Sequence, residues 1–254
     1  MFPTNQFFIM IFNKNCFDIL KKIPDESIQL IYSDLPYNET GNKWDKSVID
    51  LDQLFEEYLR ILKPDGTIAL NSTMRFANKL INTAPDFYKY EWVWEKDNGT
   101  NFISSKYQPL RVHEFVLIFT KARVTYGKTL GVKYNPQMTV GKPYKQISGK
   151  SSENWKGKPL KNVETDNKGT RHPRTVKFFK RDTPKIHPTQ KPLKLAELIV
   201  KSYTDKGDIV LDSFMGSGTT GVACKLNKRK FVGIELNVDY FKKAKERLND
   251  IPKK

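Results

Sequence analysis

Two short segments of the chain combine residue types suited to chemistry. The first, Ser33-Asp34-Leu35-Pro36-Tyr37-Asn38, follows an apolar run at residues 28–33 and offers one carboxylate, one stiffened turn and one aromatic ring. In an open α/β sheet, ligands bind beyond the carboxyl ends of the strands, so Asp34 and Tyr37 are expected to project into such a crevice. One acid beside one aromatic suits a planar base bearing an amino group. An exocyclic amine on adenine or cytosine is a poor nucleophile because its lone pair is delocalised into the ring. A carboxylate and a backbone carbonyl accepting its two hydrogens would favour a pyramidal nitrogen whose lone pair points at an incoming methyl group. Asp34 supplies the carboxylate, and the carbonyl of Leu35 is the candidate second acceptor. Pro36 stiffens the turn and Tyr37 offers a ring face for stacking. Taken alone, this tetrapeptide is an ordinary strand ending.

Its weight comes from the second segment, Asp212-Ser213-Phe214-Met215-Gly216-Ser217-Gly218, which follows one apolar strand and opens a helix. Gly216 and Gly218 remove side chains that would keep a ligand off the backbone, and the helix start offers free amide donors. Twenty-three positions after Asp212, Glu235 ends the next strand, where a carboxylate can accept ribose hydroxyls. Gly221 completes a literal G-x-G-x-x-G, so these residues alone leave a nicotinamide dinucleotide open.

The elements that must position these groups follow an α/β pattern. Residues 28–33 form a strand candidate, and Leu51, Leu54, Phe55, Tyr58, Leu59 and Leu62 fall on one helical face. That helix is expected to stop at Lys63-Pro64-Asp65-Gly66, with a strand at residues 67–70. Residues 90–95 and 114–120 suit an antiparallel pair, with His113-Glu114 marking a strand start. Residues 192–203 are expected as a helix, 208–212 as a buried strand, 231–235 as a strand and 238–248 as a closing helix. Alternation of this kind argues for parallel pairing with right-handed crossovers. Residues 1–9 match no part of the pattern, which makes Met10 a candidate start.

The chain has 254 residues and a formal charge of +16, which predicts an anionic partner. Residues 121–186 hold 17 Lys and Arg against Glu153, Glu164, Asp166 and Asp182, so this quarter of the chain carries +13 of the total. Its aromatics (Tyr126, Tyr134, Tyr144, Trp155, Phe178, Phe179) are scattered without an apolar period, as in an insert. Composition alone leaves it either a disordered basic linker or a module that contacts phosphates and bases. Two cysteines, Cys16 and Cys224, are too few for a disulfide framework and lack the spacing of a metal site. Six apolar residues at 7–12 are too short for a membrane span, so a cytoplasmic protein is expected.

Together these motifs resemble the S-adenosylmethionine-dependent DNA amino-methyltransferases of the permuted β-class. Asp34-Leu35-Pro36-Tyr37 is similar to that family's Asp-Pro-Pro-Tyr, and Asp212 to Gly218 to its Asp-x-Phe-x-Gly-x-Gly. His187-Pro188-Thr189-Gln190-Lys191-Pro192 is similar to the segment before the cofactor strand, and Phe231 to Glu235 to the ribose-binding strand. The resemblance covers about residues 13–120 and 185–249 and implies a doubly wound, mostly parallel α/β sheet with an antiparallel strand pair. On that basis residues 1–120 form the catalytic half of the domain, 121–186 a basic target-recognition insert, and 187–254 the cofactor-binding half.

The implied cofactor is S-adenosylmethionine, with Asn15, Asp212, Phe214, Gly216, Gly218, Glu235, Thr189 and Lys191 as its contacts and no metal. Thr189 and Lys191 would meet its methionine end, and Asn15 stands where the family has an acid against the adenine ring. The implied catalytic residues are Asp34, Leu35, Pro36 and Tyr37, with Leu35 replacing the family's first proline but keeping the backbone acceptor. Trp44 is a candidate lid residue or a surface anchor. The implied partner is DNA, with no membrane and with a homodimer left open. Asp at the head of the turn favours adenine over the 4-amino group of cytosine by family analogy. Carbon-5 methylation of cytosine is disfavoured because neither cysteine follows a proline in the catalytic loop. A nicotinamide oxidoreductase, or a nucleic-acid-binding protein without turnover, are the remaining readings.

Overall fold

A computed structural model describes residues 8–37, 49–125, 131–148, 163–183 and 190–251. Along the chain the elements are β1 (Ile9–Phe12), α1 (Cys16–Leu20), β2 (Ile28–Ser33), α2 (Leu51–Ile61), β3 (Leu62–Ser72), α3 (Met74–Thr83), β4 (Tyr88–Thr100) and β5 (Arg111–Phe119). Then follow β6 (Thr139–Val140), β7 (Tyr144–Ser148), β8 (Val163–Asn167), β9 (Thr170–Arg171), β10 (Val176–Phe178), α4 (Leu193–Tyr203), β11 (Ile209–Asp212), α5 (Thr219–Leu226), β12 (Lys230–Ile234) and α6 (Val238–Asp250). The chain divides into two compact units, Met1–Asn135 with Thr175–Lys254, and Pro136–Arg174.

The first unit is built on an eight-stranded sheet in the order β1-β12-β11-β2-β3-β5-β4-β10. Every neighbouring pair is parallel except the two made by β5, which runs antiparallel to both β3 and β4. All six residues of β2 are buried, as a central strand covered on both faces requires. Ile31 joins the apolar cluster under α1, α2 and α3, whereas Leu30 and Tyr32 join the cluster under α4, α5 and α6. Each aliphatic side chain buried this way is worth about 1.5–3 kcal/mol. Helix α2 shows why the local sequence takes its form. The Asp50 carboxylate accepts from the Gln53 amide at 3.0 Å as an N-cap, and Leu54, Phe55, Tyr58 and Ile61 bury one face.

The expected elements at 28–33, 51–62, 192–203, 208–212, 231–235 and 238–248 are all present within two residues. Lys63-Pro64-Asp65-Gly66, expected as the stop between the helix and a strand at 67–70, instead lies inside β3, which pairs with β2 through a register shift between Ile28 and Leu30. A bulge accommodates Pro64 there because a residue with no N–H is tolerated where ladder bonds are already interrupted. β1 was not expected. Ile9 pairs with Phe231, and the Phe8 carbonyl accepts from the Phe231 amide, so residues before Met10 take part in the sheet.

The expected insert at 121–186 is wider than the second unit. On its N-terminal side Lys133 pairs with Asp208 at 2.9 Å and Asp205 at 3.1 Å. On its C-terminal side β10 adds to β4, and the Phe179 carbonyl accepts from Trp94 Nε1. Single aromatics and cations made these flanks look irregular, yet they are held by tertiary partners that no periodicity signals. The described part of Pro136–Arg174 folds as two small antiparallel pairs, β6–β9 and β7–β8. Within it, the Arg171 guanidinium lies 4.6 Å from the centre of the Tyr144 ring and donates to Asn167 Oδ1 at 2.7 Å.

Candidate active site

Strands β2 and β11 are neighbours at the centre of the sheet, and their carboxyl ends present Asp34 and Asp212 side by side. Chain connections diverge to opposite faces at this position, which opens the crevice that doubly wound sheets use for ligands. A network joins the two strand ends. Ser33 Oγ donates to Asp212 Oδ1 at 3.0 Å and accepts from the Ser213 amide at 3.0 Å, while the buried Tyr58 hydroxyl meets Ser213 Oγ. The Phe214 amide also donates to Asp212 Oδ1 at 3.2 Å. Burial pushes the Asp212 carboxyl up to about 7, against the hydrogen bonds that hold it down.

A cavity of about 650 Å³ opens here, inside the range of about 300–1,000 Å³ usual for ligand sites. Asn15, Asp34, Pro36, Lys191, Asp212, Phe214, Gly216 and Glu235 all contribute to its wall. The turn after β11 is shaped by two glycines in the left-handed region, Gly216 at φ 49° and Gly218 at φ 75°. A Cβ on Gly216 would meet no atom within 4 Å, so this glycine leaves room at the wall, whereas a Cβ on Gly218 would press on Ala244 at 3.2 Å. Glu235 closes the turn: its Oε2 accepts from the Gly216 amide at 2.9 Å and its Oε1 from the Asn237 amide at 2.7 Å. Burial raises this carboxyl above the ordinary carboxylate range, although the backbone amides oppose the shift. Asn15 Oδ1 caps α1 by accepting from the Phe17 amide at 3.0 Å.

At the turn after β2, two side chains have partners that the sequence does not signal. Tyr37 is not among the cavity-lining residues; its hydroxyl donates to Asp34 Oδ1 at 2.6 Å and its ring packs 5.0 Å from Phe76. Lys191, expected against the methionine end of a cofactor, places its Nζ 2.7 Å from Asp34 Oδ2 and 3.3 Å from Glu114 Oε2. Glu114 in turn pairs with Lys96. Burial lowers the Lys191 ammonium, but Asp34 and Glu114 outweigh that and raise it to about 12. Leu35 is 2% exposed and belongs to the core, so it anchors the turn through packing where the family's proline would stiffen it. Gly218 heads α5 with its amide bonded to the Met215 carbonyl at 2.7 Å. Thr189, His187, Pro188 and Trp44 lie outside the described residues.

Sequence reasoning missed Ser33, Ser213, Tyr58, Lys96 and the role of Glu114. Two serines flanking acids at strand ends are a usable signal for the first network. Nothing local marks Lys96 or Glu114, because their partner is encoded far away.

This sheet order, with one antiparallel strand near an edge and a glycine turn opening the crevice, defines an α/β methyltransferase of class I type. A DNA methylase family model, that of the N6/N4 methylases, matches residues 28–246, and the chain belongs to this family. Among its relatives, DNA adenine methyltransferase YhdJ of Escherichia coli (strain K12) is 32% identical over 241 residues, 91% of this chain and 79% of that protein. Type II methyltransferase M.HpaI of Haemophilus parainfluenzae is 30% identical over 251 residues, 92% and 72% of the two chains. Among solved structures, the complex of M1.HpyAVI with S-adenosylmethionine superposes with a TM-score of 0.63 at 26% identity, covering 95% of this chain and all of that one. PvuII DNA methyltransferase (cytosine-N4-specific) reaches a TM-score of 0.68 at 16% identity, covering 97% of this chain and 89% of that one, a likeness of fold alone.

S-adenosylmethionine is the cofactor of this family, and the residues present fit it: the room left at Gly216 and the Glu235 carboxylate beside the turn provide a cradle and an acceptor. Among the described residues no cluster of His, Cys, Asp or Glu is arranged to hold a metal, and no helix is long and apolar enough to cross a membrane.

Proposed function

We propose that this DNA methyltransferase transfers a methyl group to the exocyclic 6-amino group of adenine in DNA, after the base is flipped out of the duplex. The observation that carries this reading is that one cavity has both Asp34 and Gly216 in its wall. When bound, S-adenosylmethionine supplies an electrophilic methyl group on a sulfonium centre. Gly216, Gly218 and Phe214 would form the turn that cradles it, Glu235 would accept from its ribose hydroxyls, and Asn15 would stand against its adenine. Asp212 holds the turn to β2.

Asp34 accepts one amino hydrogen of the target base and the Leu35 carbonyl accepts the other, which turns the nitrogen lone pair away from the ring. The Tyr37 hydroxyl fixes Asp34 Oδ1, and Pro36 fixes the direction of the chain after it. Asp34 keeps lone pairs for the base because a carboxylate offers about four acceptor sites and its two partners use one each. Holding both reactants in one cleft turns a bimolecular transfer into a positioned one. The proton surplus on the methylated nitrogen leaves to water at the open side of the cavity. Residues 136–174 are assigned to target contact on their charge, with exposed Lys142 and Lys145 facing phosphates.

Adenine is favoured over cytosine by the Asp that heads the turn and by the named activity of YhdJ. The test is nucleoside analysis of DNA exposed to the enzyme, with wild type and Asp34→Ala compared. N6-methyladenine from wild type alone, with cofactor binding retained in the variant, is the expected result. N4-methylcytosine would overturn the choice of base, and full activity of Asp34→Ala would overturn the chemistry.

A further inference from the structure

Four charged side chains from four separate segments meet behind the catalytic turn in an alternating row. Asp34 follows β2, Lys191 precedes α4, Glu114 stands on β5 and Lys96 on β4. Lys191 Nζ bridges Asp34 Oδ2 at 2.7 Å and Glu114 Oε2 at 3.3 Å, and Lys96 Nζ reaches the other Glu114 oxygen. The row sinks away from solvent: the side chains of Lys191 and Lys96 are 10% and 6% exposed, that of Glu114 is 16% exposed. Two positive and two negative charges sum to zero, which is the condition for keeping ions in such a place.

A lone Lys191 would bind Asp34 as a closed pair, with the whole ammonium charge committed to the carboxylate that must also receive the base. Glu114 divides that commitment, and Lys96 keeps Glu114 charged and fixed. We propose that Glu114 and Lys96 are positioning residues of the methyl-transfer site, tuning through Lys191 how strongly Asp34 accepts the target amine. This rests on the function proposed above and adds two residues of the antiparallel strand pair to its machinery.

Other groups face the row. Tyr37 meets Asp34 through its hydroxyl and Lys191 through its ring, 5.7 Å from the ammonium. Asp212 acts electrostatically on Asp34's side of the row, and Tyr32 lies near Asp34, Asp212 and Glu114. None of these changes charge in the two substitutions that test the idea. Glu114→Gln deletes a negative charge and keeps the shape; Lys96→Met deletes a positive one.

The experiment measures the kcat–pH profile on adenine-containing duplex DNA, the Kd for S-adenosylmethionine and thermal unfolding, for wild type, both variants and Glu114→Asp. Deleting a nearby negative charge favours the ionised carboxylate and deleting a positive charge disfavours it. The acid limb of kcat is therefore expected to move down by about one pH unit in Glu114→Gln and up by a similar amount in Lys96→Met. Plateau kcat is expected to fall about tenfold in Glu114→Gln, with cofactor Kd within about twofold of wild type and partial recovery in Glu114→Asp. Limbs that stay in place, or move the same way in both variants, would overturn the inference. So would loss of cofactor binding in both, since the row would then be holding the fold. A wild type that leaves adenine unmodified would instead overturn the function proposed above, and the inference with it.

Discussion

The most informative single perturbation is Asp212→Asn. Asp212 is 4% exposed, and its Oδ1 accepts from Ser33 Oγ and the Phe214 amide, two bonds that an asparagine oxygen can also accept. Burial raises the carboxyl from the ordinary 3.8 to about 7. The folded protein therefore keeps this proton up to about pH 7, whereas the unfolded chain releases it near 3.8. Between those values the folded state binds more protons, so the stability this group contributes is complete at the acid end and is lost as pH rises through 7. Between pH 5 and pH 8 the loss amounts to about 3 kcal/mol, at 1.36 kcal/mol per unit. Asparagine does not titrate. The cofactor-free variant is expected to match the wild type only at about pH 3.8 and below, to exceed it by about 1.6 kcal/mol at pH 5, and to widen that lead by about 3 kcal/mol at pH 8. In thermal unfolding this is a gap of roughly 6 to 12 °C opening with pH. Glu235 titrates in the same direction but is common to both proteins and cancels in the difference. Parallel stability curves for the two proteins would refute an ionisation cost at Asp212.

Glu235→Gln leaves one oxygen where two amides, of Gly216 and Asn237, now find separate acceptors; S-adenosylmethionine should bind at least about tenfold more weakly by calorimetry, and unchanged affinity would remove Glu235 from the site. Gly218→Ala forces a side chain onto a φ of 75° and against Ala244, and should lower the melting temperature by roughly 2 to 8 °C. Gly216→Ala meets no neighbour but still forces a side chain onto a φ of 49°, so it should cost less stability than Gly218→Ala while weakening S-adenosylmethionine binding; unchanged cofactor affinity would contradict the cradle. DNA affinity should fall steeply with salt, and Lys142→Ala or Lys145→Ala should each reduce the log–log slope by about one, measured by fluorescence anisotropy. A flat response would deny the basic unit a role in binding.

The sequence by itself determined the α/β class, most of the central elements and the two motifs, because those depend on local rules. The mostly apolar runs at 28–33 and 208–212 suit buried strands, and Gly216 and Gly218 mark a turn whose backbone a ligand can approach. Local rules end where partners are distant in sequence. Lys191 is marked out in the sequence by the motif residues beside it, but its pairing with Asp34 and Glu114, 157 and 77 positions earlier, exists only in the fold. The ring of Tyr37 is expected as a stacking face from the sequence, whereas its packing on Phe76 and its bond to Asp34 are seen only in the fold.

The basic stretch was legible as charge but not as boundary, since Lys133 and β10 are bound into the first unit by residues that composition cannot name. Edge strand β1 was invisible for a related reason: four half-buried residues carry no period, and their order comes from Phe231 to Ile234 across the sheet. What the amino-acid order supplies is each residue's own preference. Which carboxylate meets which ammonium is settled only when the sheet closes, because a buried charge takes the partner that geometry leaves it.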